Sequence, residues 1–152
     1  MKNSKLLAAC ASVACIATMA IGEVTPGEVT FGEHGEVTVS LTGVAGDPEN
    51  GAAVFKSRTK GNCLACHTNS DMMDQQFHGE IGPSLDGAAD RWEEAELRGL
   101  LTNSKNTFDG TMMPAFYVDD QFTRVWGKFE GKTILTAQEV EDVLAYLQTL
   151  SE

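Results

Sequence analysis

From Asp47 onward the chain alternates between short apolar stripes at helical spacing and stretches rich in Gly, Ser, Asn and Asp, the pattern of short helices joined by loops. Asp47-Pro48-Glu49 supplies an N-cap residue, a proline suited to the first helical position and a first-turn acid, and predicts a helix running to about Lys60. Gly51 and Phe55 lie four apart on one of its faces. The glycine admits a second helix at close range, and the phenylalanine fills the space beside it. Trp92 to Asn103 predicts another helix, with Leu97, Leu100 and Leu101 on one side. Near the end of the chain Thr136-Ala137-Gln138-Glu139 is a capping box. Behind it Val140, Val143, Leu144, Leu147 and Leu150 form a stripe that must bury against something. Thr102 to Thr111, crowded with Asn, Ser, Gly and Asp, reads as loop. Val37-Thr38-Val39-Ser40-Leu41 alternates as a short strand would. The pattern predicts an all-α domain.

The first twenty residues follow a different rule. Lys2 and Lys5 form a basic start, Leu6 to Ala20 runs without a charge, and Thr18-Met19-Ala20 places small residues where a signal peptidase reads. Residues 1–20 are therefore expected to be a signal peptide, cut after Ala20 or Gly22, with the mature protein exported to the periplasm. Residues 21–45 then form an N-terminal extension and residues 46–152 the main domain. Leu7-Ala8-Ala9-Cys10 has the outline of a lipobox, but the apolar run continues past the cysteine.

At 152 residues the chain makes one domain, and 42% apolar with 22% charged residues is an ordinary globular balance. The formal net charge is −11, and losing Lys2 and Lys5 with the leader takes it to −13. Such a chain repels phosphate backbones, which argues against nucleic-acid binding. No apolar run downstream of residue 21 approaches the ~20 residues of a membrane span.

Removal of the leader also takes Cys10 and Cys15, leaving Cys63 and Cys66. Cys63-Leu64-Ala65-Cys66-His67 has the spacing of a c-type haem attachment site. Two thiols three apart can each add to one vinyl group, and the histidine that follows is delivered to one face of the iron. A zinc site would need a fourth ligand that His34 and His78 are poorly placed to supply, and a thioredoxin-like pair would need a βαβ setting. A second iron ligand is expected from Met112-Met113-Pro114. Met113 is favoured because the proline after it stiffens the chain, whereas Met72 and Met73 sit too close to His67 and read as core filler. Lys56, Arg58 and Lys60, clustered ahead of the motif, read equally as a docking patch or as a solvated helix face. Trp92 and Trp126 read as packing residues.

Taken together, Gly51-x-x-x-Phe55, Cys63-x-x-Cys66-His67, Gly82-Pro83-x-Leu85, Met113-Pro114 and Leu144-Ala145-Tyr146-Leu147 resemble the class I cytochromes c over residues 46–152. The resemblance implies a fold in which the first and last helices cross beside one haem c, and in which the carbonyl of Pro83 holds the free nitrogen of His67. A narrower similarity is carried by Gly79–Leu85, Met112–Tyr117 and Ile134–Val143, which look like the SoxX family, the monohaem subunits of SoxAX complexes. The stretch Val118 to Thr133 is an insertion beyond a minimal cytochrome, and Glu23 to Gly46 resembles the extension of that family.

That similarity implies the electron-transfer subunit of an L-cysteine S-thiosulfotransferase, which oxidatively conjugates thiosulfate to a carrier-protein cysteine. Its partners would be a larger haem-bearing SoxA-like subunit, a SoxYZ-like carrier protein reached through the complex, and a downstream acceptor cytochrome. Thioether bonds would consume Cys63 and Cys66, leaving no thiolate to handle sulfur, so the chain is not expected to be catalytic on its own. The alternative is a free electron shuttle without an enzyme partner. The long extensions favour the complex, since a shuttle needs only a small transient surface.

Overall fold

The computed structural model describes residues 22–152, and over that span it holds α-helices and short 3-10 turns with no strand. The expected leader, with Cys10 and Cys15, lies outside the described residues. The helices are α1 (Pro48–Lys56), α2 (Ala88–Arg91), α3 (Glu94–Asn103) and α4 (Ala137–Leu147).

The start of α1 follows from its cap: the Asp47 carboxylate accepts the Glu49 N–H at 2.9 Å, satisfying a donor the first turn leaves free. Its end corrects the expected run to Lys60. The Ser57 N–H turns back to the Val54 carbonyl at 3.2 Å, the Gly61 N–H reaches the same carbonyl at 3.3 Å, and Asn62 takes a left-handed φ of 50°. Residues 57–62 are thus a tight corner that turns the chain into the cysteine segment, and asparagine is one of the few side chains that tolerates that conformation.

The C-terminal helix forms as its capping box requires. Thr136 Oγ1 accepts the Glu139 N–H at 3.2 Å, and the Glu139 carboxylate accepts the Thr136 N–H at 3.0 Å. Val140, Val143, Leu144, Leu147 and Leu150 are all buried. They help form a core shared with Val54 and Phe55 of α1 and with Leu97 and Leu101 of α3.

The crossing of α1 and α4 organises the domain. A Cβ on Gly51 would stand 1.9 Å from the Asp142 carbonyl oxygen, so the two backbones touch where only glycine fits. One turn on, Phe55 meets Tyr146 edge-on with ring centroids 5.3 Å apart. The buried Asp142 carboxylate fastens the crossing by accepting the Asp47 N–H at 2.8 Å and the Gln138 side-chain amide at 2.9 Å. Gly51→Val should therefore destabilise the domain by about 3 kcal/mol, the upper end of overpacking penalties. Chemical denaturation checks this, and an unchanged midpoint would mean that the helices separate freely at Gly51.

Helix α3 begins at Glu94 rather than at Trp92. Trp92 is extended, and the Glu96 carboxylate takes the Glu93 N–H at 2.8 Å, which sets the first turn two residues later. Leu97, Leu100 and Leu101 are buried on one side as expected.

The strand pattern at Val37–Leu41 forms no strand. Its alternation of burial is real, with Val37 and Leu41 buried and Val39 exposed. Among the described residues no neighbouring strand pairs with it: the Val37 N–H goes to the Ala95 carbonyl of α3 at 2.8 Å, the Leu41 carbonyl takes the Val24 N–H at 2.7 Å, and buried side chains take two further groups. Arg98, 4% exposed, donates to the Val37 carbonyl at 3.1 Å, and Glu141, also 4% exposed, accepts the Leu41 N–H at 2.7 Å. Arg98 and Glu141 pair with each other at 3.0 Å, so one buried ion pair ties the extension to α3 and α4. Removing one partner of such a pair typically costs 3–5 kcal/mol, since it strands the other charge.

The insertion at Val118–Thr133 is closed at its base, where the N–H groups of Ile134 and Leu135 both meet the Phe116 carbonyl, at 3.1 and 3.0 Å. Trp126 within it is 70% exposed and stacks only on local partners, Phe129 and Lys128, which corrects its reading as core packing. Trp92 does pack, half-buried against the core and edge-on to Phe108 at 6.0 Å.

Candidate haem site

Cys63–Ala65 forms a single 3-10 turn, and the N–H groups of Cys66 and His67 both return to the Cys63 carbonyl, at 3.0 and 2.9 Å. Two thiols and an imidazole therefore sit within one tight turn at the end of the corner that follows α1. Both thiols are unpaired. Burial pushes the Cys63 thiol up to about 12, which holds it neutral at physiological pH. At Cys63 this environment works against chemistry that starts from a free thiolate. An uncharged thioether suits it. Among the described residues no three His, Cys, Asp or Glu side chains cluster as a metal cage.

His67 meets the Pro83 carbonyl through Nδ1 at 2.7 Å. A carbonyl only accepts, so Nδ1 carries the proton and Nε2 keeps its lone pair for a metal. The segment that presents Pro83 runs alongside the cysteine turn, tied by Gly79 N–H to the Leu64 carbonyl at 2.8 Å, Gly82 N–H to the Cys66 carbonyl at 2.8 Å and Leu85 N–H to the Thr68 carbonyl at 3.0 Å. A Cβ on Gly82 would lie 2.4 Å from Cε1 of the His67 ring, which explains the glycine next to Pro83.

The two candidate methionines separate by environment. Met112 is 79% exposed, whereas Met113 is half-buried and packs against the core. Its backbone is gripped from the end of α3: the Met113 carbonyl accepts from Ser104 Oγ at 2.9 Å and from Lys105 Nζ at 2.7 Å. Met72 is buried filler as expected, but Met73 is 73% exposed and fills nothing.

Residues beyond the expected ligands also shape the site. Asn69, two positions past His67, is fully buried and donates through Nδ2 to the Tyr146 hydroxyl at 2.8 Å, while that hydroxyl donates to Asp71 at 2.9 Å. Burial, with the Asp71 carboxylate beside it, holds the Tyr146 phenol above its ordinary range, so it stays a neutral donor. His78 is half-buried and pins the loop, its ring nitrogens facing the Asn69 N–H at 3.3 Å and the Met72 carbonyl at 3.0 Å. Only the Gly79-x-x-Gly82 spacing hinted at this close packing in the sequence. Of the basic cluster, Lys60 pairs with Glu139 of α4, while Lys56 and Arg58 line an open cleft of about 580 Å³ with Phe77.

Two thiols one turn apart that can bond a macrocycle, with an imidazole fixed at Nδ1 and a half-buried thioether to ligate its iron, make a set that fits a haem. Residues 48–151 match the family model described as Cytochrome c. The chain belongs to the cytochrome c family. It has the class I fold and carries one covalently attached haem c. Among solved structures, a chain of SoxXA from P. pantotrophus is 48% identical with a TM-score of 0.80, the match covering 86% of this cytochrome and 100% of that chain. This likeness marks a SoxX-like cytochrome. The c-type cytochrome SorU from Sinorhizobium meliloti is 26% identical with a TM-score of 0.45, over 68% of this chain and 90% of that one. Cytochrome c-550 of Bacillus subtilis (strain 168) is 33% identical over 61 residues, 40% of this chain. The match spans only 46% of that curated relative's length.

Proposed function

We propose that this cytochrome is the electron-accepting subunit of a periplasmic SoxXA-type complex that conjugates thiosulfate to a carrier-protein cysteine. Cys63 and Cys66 would hold the haem and His67 and Met113 would ligate its iron, with the Pro83 carbonyl orienting His67. When bound, the haem supplies a one-electron couple, and His/Met ligation sets it at a high potential suited to electron transfer. The chain's own residues do the rest. The Pro83 carbonyl fixes the His67 tautomer, Ser104 and Lys105 hold the Met113 loop, and the α1–α4 crossing supports the cysteine turn. With both thiols bonded to haem and the iron ligated by His67 and Met113, no cysteine among the described residues would be left to attack or hold sulfur. The conjugating chemistry therefore falls to a larger haem-bearing partner, and electrons leave through a downstream acceptor cytochrome.

One observation carries the proposal: the SoxXA match covers 86% of the chain, more than residues 46–152 amount to, so the likeness takes in part of the extension as well as the haem domain. A free shuttle would have no use for that surplus. A tagged chain expressed in its native host should bring down a larger haem-bearing subunit in stoichiometric amount, measured by native mass analysis. Elution of the cytochrome alone at every salt concentration would favour the shuttle.

A further inference from the structure

We infer that Asp86, acting with Ser70 and Arg91, is a positioning residue that sets the hydrogen bond between His67 and Pro83. The inference rests on ligation of the haem by His67, as proposed above. How electron-rich the imidazole becomes depends on how well the Pro83 carbonyl takes its Nδ1–H, now 2.7 Å away. That carbonyl sits in the segment 81–86, which has no regular secondary structure of its own to hold it.

Two backbone bonds, from the Gly82 and Leu85 N–H groups, tie it to the cysteine segment, and side chains complete the hold. The Asp86 carboxylate reaches across to the far end of the cysteine segment, where one oxygen accepts the Ser70 N–H at 2.7 Å and the other the Ser70 hydroxyl at 2.8 Å. Arg91 of α2 forks back onto the carbonyls of Ser84, at 2.8 Å, and of Asp86. The Ser84 hydroxyl accepts the Asp86 N–H at 3.2 Å. The two segments that make the His67–Pro83 bond are thus bridged by Gly82 on one side and, beyond Leu85, closed by a two-point bond to a charged acceptor. The Ser70 N–H, followed by its hydroxyl, holds the Asp86 carboxyl below the usual carboxylate range, so the clamp is ionised at neutral pH. Without the clamp the Pro83 carbonyl recedes, the Nδ1–H bond weakens and the ring gives less electron density to the iron. The reduced state then gains.

The test is a potentiometric titration of the haem-loaded protein with three variants. Asp86→Ala should shift the one-electron equilibrium toward the reduced form by about threefold to tenfold, a tenfold change being about 59 mV. Covalent haem and the red absorption of the methionine ligand should be unchanged. Asp86→Asn keeps an oxygen for the Ser70 N–H and should restore a potential close to the wild type. Ser70→Ala removes one of the two bonds, and should shift the potential the same way by less even if Asp86→Ala folds poorly. An unchanged potential in both Asp86→Ala and Ser70→Ala, with haem attached, would overturn the positioning role. A His67→Ala chain whose haem spectrum and potential match the wild type would instead overturn the ligation by His67 on which it rests.

Discussion

Replacing both Cys63 and Cys66 by alanine is expected to abolish covalent haem completely. The two thiols are the only ones on the chain after residue 15, and they lie within one 3-10 turn ahead of His67. The wild-type protein should weigh one haem more than its sequence and keep its colour after denaturation in acid. The double variant should lose the added mass and stain for no haem on a denaturing gel. The single variants should retain one thioether each and an intermediate resistance to extraction. Haem that survives denaturation in the double variant would show attachment elsewhere.

Met113→Ala is expected to lower the reduction potential by well over tenfold in the one-electron equilibrium, more than about 59 mV. The thioether favours reduced iron, and its loss opens the position to water or a stronger donor that favours the oxidised state. The sulfur-to-iron absorption in the red should vanish with it, while haem stays attached. Met112→Ala should do neither, since that side chain stands in solvent while Met113 packs inward behind a backbone gripped by Ser104 and Lys105. If Met112→Ala removes the red absorption and Met113→Ala leaves it, the two neighbours exchange roles.

Local signals made much of this fold legible. The Asp47 cap, the Thr136 capping box and the apolar stripe of α4 each name their element, because a cap or a stripe is written within a few consecutive residues. Gly51 and Phe55 marked a face that admits another helix at close range, and the resemblance to class I cytochromes c named the last helix as the one that crosses there. What stayed hidden depends on partners far along the chain. The alternation at Val37–Leu41 suggested a strand, but Arg98, Glu141 and the Ala95 carbonyl, all distant in sequence, take backbone groups a partner strand would have taken. The early end of α1 depends on Asn62 adopting a left-handed turn, which its composition permits without requiring. At the site, the cysteine motif named its chemistry outright. The Asn69–Tyr146–Asp71 network and the Asp86–Ser70 clamp did not, because ordinary polar residues gain their roles only when folding brings them together.

The central claim is that this cytochrome carries electrons for thiosulfate conjugation but performs none of the sulfur chemistry. The direct measurement is thiosulfate-dependent haem reduction, followed optically alongside conjugate formation on an acceptor cysteine, with and without the larger haem-bearing subunit. The isolated chain should be reduced and reoxidised by mediators yet form no conjugate, and conjugate should appear in step with haem reduction once the partner is added. Steady conjugate formation by the isolated chain would contradict both the proposed bonding of Cys63 and Cys66 to haem and the proposed ligation of its iron by His67 and Met113.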